Sequence, residues 1–596
     1  MGEMSKEEYR KFYSEVYRHS LSHILAKAVI ELYGRDKVQY AIGPQIADGF
    51  YYDFLIPESI TAADFPRIED KMREIIKRRE PWTCLELSRE EALEAFAGQK
   101  FKEELIRDLP EDEKITAYRT GDDFIDLCRG PHIANSQELM NAAFQIKAVS
   151  GSYWRGDEHR DQLQRVYVYA FEDQKALKAH LNFIKEALER DHRKLGKEQE
   201  LFMIDETAPG MPYFLPRGWN LFNAILTYWR QLHVRHGYQE ISGPIINSRQ
   251  LWETSGHWGH YRDNMFLIQN PEGGEVEYAC KPMNCPNAIK VYQSQARSYK
   301  DLPLRFSETD VIHRKEKSGE LNGLFRVQMF RQDDDHTLLM EDQIEDEIAD
   351  ILEIAGQIYG TFGLTYEAEL STRPDDYMGD IELWNQAEAA LKKILDKRYG
   401  EGNYEINEGD GAFYGPKIDL KMKDCIGREW QMGTVQLDFQ LPLNFDLEYQ
   451  AADGTRKRPV MIHRAILGSF ERFIGIIIEN FKASFPFWLS PYQVALVPIR
   501  PEHNEYAHKV QDILMDHGIR VEADYADKNM KEKIKAYRKM HDPYILVLGD
   551  KEAAENTVSV NIRGGKQMNG LPLERFVAIC DELNRTRSID LKESDE

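Results

Sequence analysis

Residues 305–336 carry side chains that could hold a charged small molecule. The segment predicts two strands joined by a charged, glycine-containing loop. If the second strand alternates faces, one face takes a cation, amides, a carboxylate, an imidazole and an aromatic ring. The members of that face are Arg326, Gln328, Phe330, Gln332, Asp334 and His336. The other face holds Phe325, Val327 and Met329, which is typical of core. A half-solvated strand pair would show the same alternation, so the hairpin alone leaves both interpretations open.

A second candidate site combines three histidines with a cysteine. His19 and His23 stand four residues apart in a predicted helix over 6–33, which stacks their imidazoles on one face. Cys128 and His132 lie at a glycine–proline turn. These are zinc-ligand types, but the same groups could act as general bases and a polarising thiol around a water molecule. Composition does not separate the two.

The elements that must position these residues change character along the chain. Residues 171–196 predict a charged helix whose end is typical of a linker. From about residue 201, strands and helices alternate with many aromatics: 221–236 predicts a helix and 237–244 a strand. After Pro491, four strands alternate with helices, one of them basic, which is typical of a small α/β domain.

Composition excludes several classes of protein. The length of 596 residues suits about three to four domains, and 42% hydrophobic with 30% charged residues is ordinary for a globular chain. A net charge of −24 argues against a non-specific DNA binder. The most apolar run, 473–478, is too short to span a bilayer, so we expect no membrane partner. Six scattered cysteines and no signal-peptide pattern predict a reducing, cytoplasmic location.

The motifs taken together resemble the threonyl-tRNA synthetases, a family of class II aminoacyl-tRNA synthetases, from about residue 6 to the end. Three motifs stand in the class II order: a strand ending at Pro244, a hairpin that holds Arg314, Glu316, Arg326 and Phe330, and a helix with Arg472. Segments similar to this family in particular are KPMNCP, 332–336, GAFYGPK, QMGTVQLDF and VMIHRAILGS.

The resemblance implies an α+β multidomain fold. It predicts an N-terminal α+β editing domain over 1–190, a linker over 191–202, a class II catalytic domain over 203–485 built on an antiparallel sheet with helices, and a C-terminal α/β anticodon-binding domain over 486–596. The long bacterial form begins with a small ubiquitin-like domain, whereas we expect this chain to start directly at the editing domain.

The activity implied by the resemblance is ATP-dependent formation of threonyl-adenylate and transfer of threonine to tRNA(Thr). Arg314 would contact the α-phosphate and Arg472 the distal phosphates as catalytic residues, since arginine presents rigid donors to phosphate. Glu316 and Phe330 would read and stack adenine, and Mg²⁺ would accompany ATP. The implied ATP-binding residues are Arg314, Glu316, Arg326, Phe330, Gln431, Thr434 and Arg472.

Selection of L-threonine needs more than shape, because a hydrophobic pocket discriminates poorly against valine. The family uses one zinc ion that binds the amino and hydroxyl groups of threonine, and the matching ligands are Cys285, His336 and His463. The implied threonine-binding residues are Gln332, Asp334, Tyr414 and Gln436. Gln431 and Gln436 differ in strand parity, so a bulge at Gly433 is predicted.

Serine also carries an amine and a hydroxyl, and one missing methyl costs only about 1–3 kcal/mol, so a second, editing site is expected. The resemblance implies that His19, His23, Cys128 and His132 hydrolyse seryl-tRNA(Thr) through ordered water without a metal, assisted by Lys102 and Asp126. It further implies a homodimer formed through the first motif. The anticodon contacts it implies are Lys551, Glu552, Arg563 and Lys566. The loop 561–566 has fewer arginines than the family leads us to expect.

Three other functions stay open at this point. A sister class II enzyme specific for proline or serine would share the three motifs. A catalytically inactive paralogue that binds tRNA or a messenger mimic is disfavoured by intact Arg314, Arg472 and zinc ligands. A metallohydrolase built on the N-terminal histidines alone would leave about 400 residues unexplained.

Overall fold

The computed structural model describes residues 11–111, 113–269, 274 and 276–594. The chain divides into two compact units, Met1–Glu186 and Ala187–Glu596. Residues 6–10 of the predicted first helix lie outside the described residues. Among the helices that are described, none is both long enough and apolar enough to cross a membrane.

The first unit combines helices with two antiparallel sheets. Its helices are α1 (Arg18–Tyr33), α2 (Phe65–Lys77), α3 (Arg89–Ala95), α4 (Lys100–Asp108) and the first part of α5 (Gln174–Arg190). Its strands are β1 (Gln39–Tyr40), β2 (Gln45–Ile46), β3 (Gly49–Leu55), β4 (Trp82–Leu87), β5 (Ile115–Thr120), β6 (Phe124–Leu127), β7 (Ala143–Tyr153) and β8 (Gln162–Phe171). One sheet has the order β1-β3-β8-β7 with β2 on β3, and the other has the order β4-β5-β6.

The sequence pattern explains this packing. In β3, Phe50, Tyr52 and Phe54 stand two residues apart, so they share one face of the strand, and all three are fully buried. Helix α2 places Ile68 and Met72 four residues apart on its buried side. Helix α1 is buried over most of its length and packs against both β3 and α2. It is therefore a core helix, and that packing holds its buried histidine, His23, in place.

The second unit holds an eight-stranded sheet, several smaller sheets and most of the helices. Its helices are α6 (His192–Glu198), α7 (Pro216–Arg235), α8 (Arg249–Thr254), α9 (His257–His260), α10 (Cys285–Gln293), α11 (Ile344–Thr361), α12 (Ile381–Tyr399), α13 (Gln440–Asn444), α14 (Phe470–Phe481), α15 (Asn504–Asp516), α16 (Met530–Lys539), α17 (Asp550–Glu555) and α18 (Leu573–Thr586). The segment predicted as a linker therefore contains a helix, α6.

The strands of the second unit follow the same chain order. They are β9 (Phe202–Met203), β10 (Tyr213–Phe214), β11 (Gln239–Glu240), β12 (Ile246–Ser248), β13 (Leu267–Ile268), β14 (Tyr278–Cys280), β15 (Leu304–Glu308), β16 (Val311–His313), β17 (Met329–Arg331), β18 (Asp334–Leu339), β19 (Tyr366–Ser371), β20 (Glu405–Asn407), β21 (Lys417–Lys423), β22 (Glu429–Asp438), β23 (Tyr449–Gln450), β24 (Arg456–Lys457), β25 (Val460–Ala465), β26 (Val494–Pro498), β27 (Val521–Ala523), β28 (Tyr544–Leu548), β29 (Thr557–Ile562) and β30 (Gln567–Pro572).

The eight-stranded sheet has the order β11-β15-β18-β25-β22-β21-β19-β20 and is antiparallel except at its two edges. Residues of α7, α11, α12 and α14 form one continuous hydrophobic core with its strands. In α14, Phe473, Ile474 and Ile477 are fully buried, because the apolar run there is long enough to face the core all round.

The predicted hairpin over 305–336 is divided between two sheets. Strand β17 pairs with β16 in a separate ribbon, while β18 pairs with β15 and β25 in the large sheet. Between them the N–H of Asp333 donates to the carbonyl of Gly468 at 2.9 Å. The predicted alternation of faces is therefore wrong in part. Phe325 and Val327, predicted on the core face, line the same cavity as Phe330. The Gln328 side chain, predicted on the polar face with Phe330, accepts the Glu316 N–H and donates to the Pro209 carbonyl.

The C-terminal part forms a five-stranded sheet of order β27-β26-β28-β29-β30. Its first three strands are parallel and its last two pairs are antiparallel. Strand β30 was not predicted, because its sequence, QMNGLP, combines glycine and proline, which are depleted in strands. As an edge strand it tolerates both.

Candidate active site

Three neighbouring strands of the large sheet bring two histidines and a glutamine side by side. His336 of β18 pairs with His463 of β25, which in turn pairs with Gln436 of β22. Residues directly opposite each other in antiparallel strands share a face, with Cβ atoms about 4.5–5.5 Å apart. Asp334 lies two residues before His336 and joins that face. The strand register therefore builds one polar surface from residues far apart in sequence.

A bulge in β22 lets Gln431 and Gln436 face the same cavity. The pairing of β22 with β21 runs regularly on both sides of Met432, which has no partner of its own. The extra residue reverses the parity of the strand. The bulge predicted at Gly433 is confirmed, with Met432 as the inserted residue.

Every residue predicted to bind ATP, threonine or the metal lines one cavity of about 730 Å³. These residues are Cys285, Arg314, Glu316, Arg326, Phe330, Gln332, Asp334, His336, Tyr414, Gln431, Thr434, Gln436, His463 and Arg472. The cavity wall also includes residues to which the sequence analysis gave no role, among them Tyr261, Asn264, Asp410, Phe413 and Ser469.

One end of the cavity concentrates positive charge. Burial lowers the pKa of Arg472, and the neighbouring guanidinium groups of Arg314 and Arg326 lower it further. The Nε of Arg472 donates a hydrogen bond to the carbonyl of Phe325 at 3.0 Å, and the Nε of Arg314 donates one to the carbonyl of Pro282 at 3.1 Å. Arg326 is paired with Glu316 and Glu320, whereas Arg314 and Arg472 donate to backbone carbonyls, so this end suits an anion such as a polyphosphate.

An aromatic ring and a carboxylate stand beside these arginines. The ring of Phe330 lies 5.2 Å from the Arg314 guanidinium. Glu316 accepts hydrogen bonds from Arg326 at 3.0 and 2.9 Å, and Arg326 also pairs with Glu320 at 2.8 Å. A flat base could stack on Phe330 within reach of the Glu316 carboxylate.

The other end of the cavity has a buried set of potential metal ligands. Cys285, His336 and His463 each offer a ligand atom within 4.8 Å of the other two, and all three are buried. The Nδ1 atom of His336 is buried without a hydrogen-bond partner. Thiolate and imidazole are ligands that Zn²⁺ prefers, and three protein ligands leave coordination positions open. The residues present therefore fit a zinc ion.

Two residues that the sequence analysis missed hold this end in place. The Nε2 of His463 lies 2.8 Å from the carboxylate of Asp438, and Asn284 donates to Asp334 at 3.0 Å. Asp438 follows Gln436 by two residues in β22, so strand parity could have found it. Asn284 directly precedes Cys285 in KPMNCP, but no spacing rule connects it with Asp334.

The polar lining continues through Tyr414 and Gln332. The Tyr414 hydroxyl donates to the side-chain oxygen of Gln436, and its ring lies 5.2 Å from that of His463. The backbone of Gln332 forms an isolated antiparallel β-bridge with Ser469, the residue directly before α14. Burial raises the pKa of Asp334 to about 6. The pocket thus offers a carboxyl group, two amides and a phenol to a small polar molecule.

In the first unit, the structure brings the four predicted residues His19, His23, Cys128 and His132 together; we call them the N-terminal cluster. The Cys128 Sγ lies 3.1 Å from the Nε2 atoms of both His19 and His132, and it accepts the N–H of Gly130 at 3.1 Å. Helix α1 supplies two members because its i and i+4 residues share a face.

Lys102 and Asp126 lie beside this cluster. Their side chains form an ion pair in which each side chain is only 2% exposed. Asp126 also accepts a hydrogen bond from the Tyr52 hydroxyl at 2.5 Å. The Nε2 of His23 is 3.4 Å from Asp126. All six residues predicted for this site are therefore found together.

Burial sets the protonation of the N-terminal cluster. It raises the pKa of the Cys128 thiol to about 12 and lowers the pKa of His19, His23 and His132. A neutral thiol is a poor nucleophile, whereas neutral imidazoles can accept protons from water. Burial therefore disfavours attack by the Cys128 thiol and keeps the three imidazoles in the form that can accept a proton.

The four predicted anticodon contacts have different surroundings. Lys551 is exposed on α17, and Lys566 pairs with Glu593 at the surface. Glu552 accepts hydrogen bonds from the Gly549 N–H and the Ser559 hydroxyl. Arg563 donates to the carbonyls of His541 and Phe485 at 2.8 and 2.6 Å. The last two side chains thus have structural partners within the protein.

Comparison with protein families agrees with this architecture. The class II tRNA synthetase core domain (G, H, P, S and T) matches residues 266–481, an anticodon-binding domain matches 493–583, and the threonyl and alanyl tRNA synthetase second additional domain matches 115–167. The fold is that of a class II aminoacyl-tRNA synthetase, and the predicted fold class is confirmed.

The curated relatives are more specific. The chain is 48% identical to the threonine–tRNA ligase of Thermotoga neapolitana over 97% of this chain and 89% of that protein, and 48% identical to that of Clostridioides difficile over 96% and 89%. The chain belongs to the threonine–tRNA ligase family.

Solved structures support the fold. The RNA-binding domain of threonyl-tRNA synthetase from Cryptosporidium parvum is 39% identical, with a TM-score of 0.64, and covers 67% of this chain and 100% of that one. A prolyl-tRNA synthetase from the same organism reaches a TM-score of 0.51 at 17% identity, over 66% of this chain and 75% of that one. The second likeness shows the fold alone.

Proposed function

We propose that the protein charges tRNA(Thr) with L-threonine in two steps at the cavity of the second unit. The threonine carboxylate attacks the α-phosphorus of ATP, the bond to pyrophosphate breaks, and the terminal ribose of tRNA(Thr) then displaces AMP from the carbonyl. The observation that carries this proposal is the cavity itself, whose wall includes both an arginine cluster for phosphates and a Cys–His–His group for a metal.

We assign Arg314 to the α-phosphate and Arg472 to the distal phosphates. Both guanidinium groups are oriented by backbone carbonyls, so little side-chain entropy is lost when ATP binds. Phe330 on β17 and Arg326 and Glu316 in the loop before it would bind the nucleotide, with adenine on the Phe330 ring. Gln431 and Thr434 also line the cavity. Mg²⁺ would accompany ATP.

We further propose that Cys285, His336 and His463 hold one zinc ion. When bound, the ion would supply open coordination for the amine and hydroxyl of threonine, which valine cannot match. The chain's own residues do the rest: Asp438 orients His463, Asn284 orients Asp334, and Tyr414 orients Gln436. Gln332 and Asp334 complete the wall around the amino acid.

We assign hydrolysis of seryl-tRNA(Thr) to the N-terminal cluster with Lys102 and Asp126, through a water molecule and without a metal. Neutral imidazoles around the Cys128 thiol can accept a proton from that water. The buried Lys102–Asp126 pair fixes the Tyr52 hydroxyl next to the cluster. Serine, which satisfies the same zinc chemistry as threonine, is thereby removed after transfer.

Two further proposals concern assembly and location. A homodimer through the first motif is supported by exposed apolar side chains in and around that motif, at Val234, Ile245 and Ile246, and at Tyr278 on the strand that pairs with Ile246–Ser248. A cytoplasmic location is supported by free thiols at all six cysteines. Lys551 and Lys566 stay our candidates for tRNA contact.

Threonine-dependent exchange of pyrophosphate into ATP tests the charging proposal. Among the twenty amino acids, threonine should drive exchange most strongly, serine weakly, and proline not at all. Exchange driven by proline, or by serine in preference to threonine, would replace our assignment by a sister enzyme. No exchange with any amino acid would favour a tRNA-binding protein without this activity.

A further inference from the structure

His192 occupies a buried position at the start of α6, in the segment that the sequence predicted as a linker. Its ring is 1% exposed. Its Nδ1 lies 2.8 Å from Oε1 of Glu479, and its Nε2 lies 3.0 Å from the backbone nitrogen of Leu324. A backbone N–H can only donate, so Nε2 accepts, and Nδ1 carries the proton that it donates to Glu479. One neutral tautomer satisfies both contacts.

The contact with Leu324 leads directly to the phosphate end of the cavity. The next residue, Phe325, accepts the Arg472 Nε at its carbonyl, and its ring centroid lies 4.0 Å from the His192 ring centroid. Arg472 and Glu479 are both on α14, seven residues apart, which puts them on the same side of the helix. His192 therefore closes a ring of contacts that includes the Arg472 side chain.

The loop of residues 321–326, which we call the arginine loop because it ends at Arg326, approaches α6 very closely. A Cβ atom at Gly323 would lie 2.2 Å from the His192 Nε2 and 2.8 Å from the Arg193 Cγ. Gly323 also has a φ of +52°, a conformation that glycine adopts without penalty. Only glycine fits here, so the arginine loop is held against His192 over two adjacent residues.

Glu479, the other partner of His192, is itself immobilised. It is 2% exposed, and its second carboxylate oxygen accepts Arg428. Arg190 donates to the carbonyls of Glu479 and Asn480 at 2.9 and 3.0 Å. The His192 backbone N–H donates to the same Glu479 oxygen at 3.0 Å. Since Glu479 cannot move freely, the position of the His192 ring, and with it that of Leu324, is determined by α14.

We propose that His192 is a positioning residue for ATP binding. It holds the arginine loop against α14, so that Arg326 and Arg472 face the phosphates from two sides. His192 touches no substrate and acts through Leu324 and Phe325. The inference rests on the proposed binding of ATP in this cavity, and it assigns a role in the activation step to a segment outside the three class II motifs.

Two substitutions separate the two contacts of the ring. In His192→Asn, the amide can reach the position of Nδ1 and keep the donor to Glu479, but the acceptor for Leu324 is lost. In His192→Gln, the longer side chain can offer its oxygen to the Leu324 N–H. Lys194→Ala, at an exposed position of the same helix, is the matched control.

Pyrophosphate exchange, corrected for the fraction of active enzyme, should give a KM for ATP about tenfold higher in His192→Asn, with the KM for threonine unchanged. Tenfold corresponds to about 1.4 kcal/mol, the order of one unpaired buried N–H. His192→Gln should show a smaller rise and Lys194→Ala none. An unchanged KM for ATP in His192→Asn, or an equal rise for both substrates, would overturn the proposal.

Hydrogen exchange of the unmodified protein gives a second test that does not depend on a folded variant. The Leu324 amide should exchange slowly, unlike the amides of the exposed residues 317–319 that precede the arginine loop. Rapid exchange at Leu324 would refute the contact. If instead the wild-type protein failed to exchange pyrophosphate into ATP, the proposed function would be refuted. A failure of the His192 proposal and a failure of the proposed function therefore give different results.

Discussion

Replacing Asp438 by asparagine tests how the metal ligands are oriented. One carboxylate oxygen of Asp438 accepts the backbone N–H groups of Gln440 and Leu441 at 2.7 and 3.0 Å, and the other lies 2.8 Å from the Nε2 of His463. In Asp438→Asn the backbone donors require the amide oxygen, so the amide nitrogen must face His463. The N–H of the new amide would then face the Nε2–H of His463, and two donors cannot form a hydrogen bond with each other.

The imidazole can relieve this clash only by moving its proton to Nδ1. That tautomer would bond to the amide through Nε2, but its protonated Nδ1 could no longer bind a metal ion. Loss of such an orienting partner typically weakens metal affinity 10- to 100-fold, which is about 1.4–2.7 kcal/mol. We expect the KM for threonine to rise by a similar factor, while the KM for ATP stays unchanged.

Zinc affinity of Asp438→Asn should be measured by competition with a chromogenic chelator and compared with pyrophosphate exchange at varied threonine. The matched control is Asp380→Asn, which replaces an exposed aspartate that accepts the Glu382 N–H at a helix start. Wild-type zinc affinity in Asp438→Asn would refute the orienting role. A rise in the KM for ATP alone would show that the two ends of the cavity are misassigned.

Three further predictions concern the other sites. The free energy of unfolding of the first unit should fall as the pH drops below about 6.5, by at most about 1.4 kcal/mol per pH unit for each histidine of the N-terminal cluster. Folding lowers the pKa of these histidines, so below that pH the unfolded chain binds more protons than the folded one. Calorimetry that shows no change between pH 7 and 5 would contradict this. Cys128→Ala should charge threonine normally but clear seryl-tRNA(Thr) about 100-fold more slowly, because the His19 and His132 imidazoles lose the Sγ atom that orients them for proton transfer; a deacylation assay that shows unchanged clearance would remove Cys128 from the mechanism. Arg563→Ala should lower the unfolding temperature with little effect on tRNA affinity, whereas Lys551→Ala should weaken tRNA binding in a filter assay without changing the unfolding temperature.

Much of the candidate site was accessible from sequence because its residues lie in distinctive local motifs. The three possible zinc ligands are scattered along the chain, and no ligand spacing connects them. They meet because β18, β25 and α10 are neighbours in the fold, which a single sequence does not reveal without the resemblance to a family. Strand parity correctly required a bulge near Gly433, since alternation is a local property of backbone geometry.

The parts that were missed depend on long-range contacts. His192 stands in a charged segment that reads as a linker, and only tertiary packing makes it a buried acceptor for the Leu324 N–H. Asn284 and Asp438 act through partners on other elements. The hairpin over 305–336 was predicted as one continuous strand pair, but the hydrogen bond from Asp333 to Gly468 divides it, and alternation in a sequence cannot show where pairing partners change.

The central claim is that one cavity selects threonine through a metal held by Cys285, His336 and His463. Its most direct test is charging of tRNA(Thr) with threonine, serine and valine, before and after removal of metal by a chelator and after addition of Zn²⁺. We predict that untreated enzyme charges threonine and excludes valine, that chelation abolishes threonine charging, and that Zn²⁺ restores it. Threonine charging at the untreated rate in enzyme shown to contain no metal would contradict the account.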